Sequence, residues 1–73
     1  MTNATKNTCR NWRSEAIDLG FTRQQFDSMV RVAYGWTDVR GWRDAALTVR
    51  NTCLYWGSVE KMKASGCHLS KVI

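Results

Sequence analysis

Between Glu15 and Met29 the chain reads Glu-Ala-Ile-Asp-Leu-Gly-Phe-Thr-Arg-Gln-Gln-Phe-Asp-Ser-Met, a window that specifies two helices and the turn between them. Gly20 has no Cβ, so it can take the left-handed conformation that ends a helix. With Gly20 just past the helix, Ala16 and Phe21 fall at the two positions whose apolar contact closes a Schellman ending. Thr22 then stands where the next helix needs a cap. Its hydroxyl is placed to accept from the Gln25 amide while the Gln25 side chain reaches back to the Thr22 amide, a capping box. Phe21 before the cap and Phe26 after it make a hydrophobic staple. Phe21 therefore serves both helices, and losing the Thr22 cap alone is expected to cost about 1 kcal/mol.

Apolar spacing extends this start into a helical chain. A first helix is predicted from about Thr8 to Leu19, with Cys9, Trp12, Ala16 and Leu19 on one stripe. A second runs from about Arg23 to Tyr34, buries Phe26, Met29, Val30 and Ala33, and stops at Gly35. A third begins between Asp38 and Trp42 and reaches Trp56, with Trp42, Ala45, Ala46, Val49, Cys53 and Trp56 inward and Gly57 as its stop. Ser58 caps a short helix, Val59 to Ala64, before Gly66. Residues 1–6 are polar and expected to fray, and the tail 67–73 is apolar enough to pack. The expectation is one all-α domain over residues 1–73, with three to four helices. Two short echoes, Asn7–Trp12 with Asn51–Trp56 and Gly35–Asp38 with Gly41–Asp44, are too brief to define a structural repeat.

A chain of 73 residues buries only about 60% of the surface its unfolded form exposes, so stability is expected to be marginal and a large enclosed active site is disfavoured. The absence of proline and a hydrophobic share of 44% suit a compact helical domain. Net charge is +5, and seven of the eleven basic residues are arginines, which favour phosphate and carboxylate forks. Nucleic acid or an acidic protein surface is the partner class this implies. No apolar run is long enough for a membrane span, and no signal peptide is recognised; a soluble, monomeric, cytoplasmic protein is expected. Cys9, Cys53 and Cys67 read as thiols in a reducing compartment.

Catalytic chemistry finds no constellation. His68, the single histidine, adjoins Cys67 but has no carboxylate in a motif that would orient it. Cys9, Cys53, Cys67 and His68 lack the paired spacing of zinc sites. Neither a phosphate-cradling glycine loop nor a paired-carboxylate setting is present, and the six acidic residues read as scattered and solvated. No enzyme activity, metal or cofactor is expected.

In residue type and spacing, Glu15–Met29 resembles the helix-turn-helix of transcription regulators, with Ala16 four residues before Gly20, then Phe21, Thr22, Phe26 and Met29. The resemblance covers about a fifth of the chain and implies that the second helix reads the major groove. It places Arg23 and Gln24 at bases or phosphates, Ser28 at the backbone and Arg31 at a phosphate, as in a repressor or an excisionase-like protein. A well-capped helical hairpin without DNA contact accounts for the same spacing. Asp18 and Asp27 beside the reading face, and the lack of a dimerisation helix, count against simple operator binding.

A second cluster, Gly35-Trp-Thr-Asp-Val-Arg-Gly-Trp-Arg-Asp44, is rich in the residue types that dominate protein interfaces. Here Trp36 is expected to be exposed and, with Arg40 and Arg43, to form a protein-binding patch; Trp12, Trp42 and Trp56 are expected in the core. In length, basicity and tryptophan content the whole chain resembles the small phage-encoded inhibitors and antiterminators that bind bacterial RNA polymerase. That resemblance implies docking on polymerase without chemistry, inhibiting initiation or altering termination, with basic residues near DNA or nascent RNA. An inhibitor of another host complex, such as a defence nuclease, is a third reading.

Overall fold

The computed structural model describes residues 9–73, with side chains from Asn11 onward. It is all-helical: α1 spans Cys9–Asp18, α2 Arg23–Tyr34, α3 Trp42–Trp56 and α4 Val59–Ser65, followed by a 3-10 helix, His68–Val72. The expected fraying of residues 1–6, the helix start at Thr8 and the inward side chain of Cys9 lie outside the described residues.

The first turn follows from the sequence bond by bond. The Gly20 amide donates to Ile17 O at 2.9 Å and the Phe21 amide to Ala16 O at 3.1 Å, the two bonds of a Schellman ending. Gly20 adopts φ +104°, which a side chain would make costly, and an added Cβ would meet nothing, so the requirement lies in the backbone alone. The Gln25 amide donates to Thr22 Oγ1 at 3.0 Å and the Thr22 amide to Gln25 Oε1 at 2.8 Å, completing the capping box. Ala16, Phe21 and Phe26 are all buried.

α2 and α3 form the main packed pair, α1 lies chiefly against α3, and the terminal 3-10 helix lies along α2. Phe21, Phe26, Met29, Val30, Val49, Met62 and Leu69 are the large fully buried side chains beside Cys53, and Trp12 and four alanines complete the core. The alanines Ala33, Ala45 and Ala46 let α2 and α3 approach closely, and the aromatic and thioether side chains fill the remaining volume in place of a Leu/Ile interior. Leu69, from a segment with no helical period in its sequence, is buried at 1% exposure and joins the tail to the core.

Three expectations are corrected. Trp42 is 47% exposed rather than inward. It opens α3, where a side chain points back toward the helix start and past the end of the core. Trp36, expected outside, is instead partly buried against the core, because the chain folds back over the end of α2 with its amide donating to Ala33 O at 3.0 Å. The acidic residues are not uniformly solvated: Arg13 Nη1 lies 3.2 Å from Asp27 Oδ1, bridging α1 to α2, and Arg50 Nε lies 2.7 Å from Glu15 Oε1, bridging α3 to α1.

Candidate functional site: an arginine-rimmed cleft and the outer face of α2

Gly41 starts α3 with φ 152° and ψ 179°, a backbone conformation open essentially to glycine alone. Its carbonyl accepts the Ala45 amide at 2.9 Å, but it provides no side-chain cap. Asp44 instead accepts from the Arg40 amide at 3.0 Å, pinning the chain that enters the helix. This sharp entry sets Trp42 out from the core, with its ring 5.6 Å from that of Tyr34 at a tilt of 53°, so the last residue of α2 supports the first of α3. Arg43 lies with its guanidinium 5.7 Å from the Trp12 ring centre, in cation–π range.

Between these side chains a cleft of about 520 Å³ opens to solvent, lined by Trp12, Arg40, Gly41, Trp42, Arg43, Asp44 and Leu47. Trp12 and Leu47 give it an apolar floor, Trp42 an apolar wall, and the two arginines a positive rim. Of the expected protein-binding set, the structure brings Arg40 and Arg43 together here and places Trp36 elsewhere, its ring 6.1 Å from that of His68. The sequence reading puts Trp42 inward and assigns no role to Tyr34, which is exposed, or to Leu47, which is partly buried against the core. The available signal was that Trp42 directly follows a glycine and therefore heads its helix.

The expected nucleic-acid residues do share one surface. Arg23, Gln24, Ser28 and Arg31 recur on the face of α2 opposite Phe26, Met29, Val30 and Ala33, and with Asp27 they line a concavity of about 370 Å³. Asp27 sits in its middle, paired with Arg13. Val72 and Ile73 stand beside Thr22, Gln24, Gln25 and Ser28, flanking the N-terminal end of α2.

Comparisons with family models, curated proteins and solved structures return no match. Among the described residues no group of three or more His, Cys, Asp and Glu side chains gathers to hold a metal, and no helix is long and apolar enough to cross a membrane. Cys53 lies in the core, where burial above all, and Cys67 secondarily, push its thiol up to about 12. Such a thiol stays protonated and is a poor nucleophile at neutral pH.

Proposed function

We propose that the protein is a non-enzymatic transcription regulator that binds bacterial RNA polymerase through the cleft at the start of α3, in the manner of small phage inhibitors and antiterminators. The observation that carries this reading is Trp42, half-exposed beside an apolar floor and flanked by Arg40 and Arg43. Tryptophan and arginine beside a concave apolar surface are the composition of an interface hot spot. The test is co-elution with purified, nuclease-treated polymerase by size exclusion. The wild-type chain is expected to co-elute and Trp42→Ala to lose most of its binding; absence of wild-type binding removes the reading.

A DNA-binding regulator is the second reading, supported by the shared face of Arg23, Gln24, Ser28 and Arg31. It ranks lower because Asp27 lies within that face and Val72 and Ile73 flank the end of α2 that would enter a groove. Its signature is binding to duplex DNA that falls steeply with salt and weakens in Arg23→Ala.

A further inference from the structure

The exposed side of α2 carries a surface of its own, apart from the cleft. Arg23, Asp27, Arg31 and Tyr34 follow one another at spacings of four, four and three, so they stand in one row along the helix. Among the described residues, Arg23 and Arg31 have no hydrogen-bond or ion-pair partner, whereas Asp27 between them is paired with Arg13 Nη1 at 3.2 Å. The carboxylate is thereby balanced from α1, and the row presents two uncommitted guanidiniums rooted about 12 Å apart along the helix axis. Tyr34 closes the row. It is 53% exposed, and its ring is braced on one side by Trp42 at 5.6 Å and a tilt of 53°. Gln24 and Ser28 border the row and share with the arginines a concavity of about 370 Å³ whose lining holds no apolar side chain.

We infer that this row binds a single-stranded nucleic acid, with phosphates held by Arg23 and Arg31 and a base stacked on Tyr34. Positive charge along a backbone track, with an open aromatic ring beside it, is the combination by which proteins hold single strands irrespective of base sequence. A duplex keeps its bases stacked inside and leaves Tyr34 idle. Entry of α2 into a groove would also use its N-terminal end, which Val72 and Ile73 flank, whereas a strand lying along the helix needs only the outer side. The apolar anchor of a peptide finds no seat in the polar concavity. The inference shares its arginines with the DNA-binding reading but changes the ligand. It leaves the cleft to the protein partner, since Arg23, Arg31 and Tyr34 are not among the cleft walls.

The experiment titrates the full chain at low salt into four fluorescein-labelled probes: oligo-dT and oligo-U of twelve nucleotides, a twelve-base-pair DNA duplex, and a twelve-residue poly-glutamate that has charge without bases. Anisotropy reads affinity, and amide chemical shifts locate the contact. At least one single strand is expected to bind about fivefold or more tightly than the duplex and the peptide, with shifts centred on residues 23–34; the tighter of the two tells a DNA strand from an RNA strand. Tyr34→Leu is expected to weaken single-strand binding about fivefold or more while leaving duplex binding unchanged, a selective loss that misfolding cannot produce. Tyr34→Trp is expected to keep the wild-type affinity. Arg23→Ala and Arg31→Ala are each expected to reduce the slope of log affinity against log salt by about 0.7. Duplex or poly-glutamate bound as tightly as the strands, Tyr34→Leu without effect, shifts centred elsewhere, or no binding of any probe would each overturn the inference. Polymerase co-elution is scored separately. Strand binding without co-elution removes the polymerase reading alone, and co-elution without strand binding removes this inference alone.

Discussion

At the scale of single residues, Thr22 has the best-defined energetic role. Its hydroxyl and amide are both committed to Gln25 in an exposed turn, so Thr22→Ala removes a cap without opening a cavity. The expected loss is about 1 kcal/mol, read as a fall in melting temperature of about 4–8 °C. Cys53 governs a different variable. Its thiol ionises at about 9.0 when unfolded and at about 12 when buried, so between these values the unfolded chain holds fewer protons at this site than the folded one. Stability from this group is intact below pH 9 and declines as pH rises from 9 toward 12, at a slope approaching about 1.4 kcal/mol per pH unit. Cys53→Ala should flatten the alkaline limb of a plot of unfolding free energy against pH. In the native protein at neutral pH, iodoacetamide should leave Cys53 unmodified until denaturant is added.

Elements show where local order was readable and where it was not. The link from Ala16 to Phe26 was legible because every bond in it joins residues within five positions of each other, and sequence spacing sets such geometry directly. The tryptophans were not. Trp36 and Trp42 flank a turn, where helical periodicity no longer assigns a face, and tertiary packing decided which ring went in. The tail was legible in part: its apolar content pointed to packing, which Leu69 and Ile73 show, but its 3-10 form was not readable because five such residues carry no amphipathic pattern. Gly41 is the element-scale device that creates the cleft, and Gly41→Ala is expected to cost about 1–3 kcal/mol in backbone strain or to reset the start of α3. A crystal or NMR structure of that variant should show Trp42 displaced, with weaker cleft binding. The two interhelical ion pairs, Arg13–Asp27 and Arg50–Glu15, are about a third exposed, so Asp27→Asn should cost less than about 1 kcal/mol in a denaturant titration.

For the whole molecule, core and candidate surface are energetically separable. Met29 is fully buried between the helices, and Met29→Ala is expected to cost about 2–5 kcal/mol, enough to unfold much of so small a domain by circular dichroism. Trp42→Ala removes a ring already half in water and should leave the far-UV spectrum and the melting temperature close to wild type while partner binding falls. This separation is what makes the cleft open to experiment. The turn at Phe21 has the opposite character. Phe21 closes α1 through its amide to Ala16 O and shares one buried cluster with Ala16 and Phe26, so positions 16 and 26 are expected to be coupled through it. A volume change at one alters which residues are acceptable at the other, and the Ala16/Phe26 double mutant should depart from additivity by about 0.5–3 kcal/mol. Substitutions in the two helices are thus expected to be tolerated best as compensating exchanges across the turn.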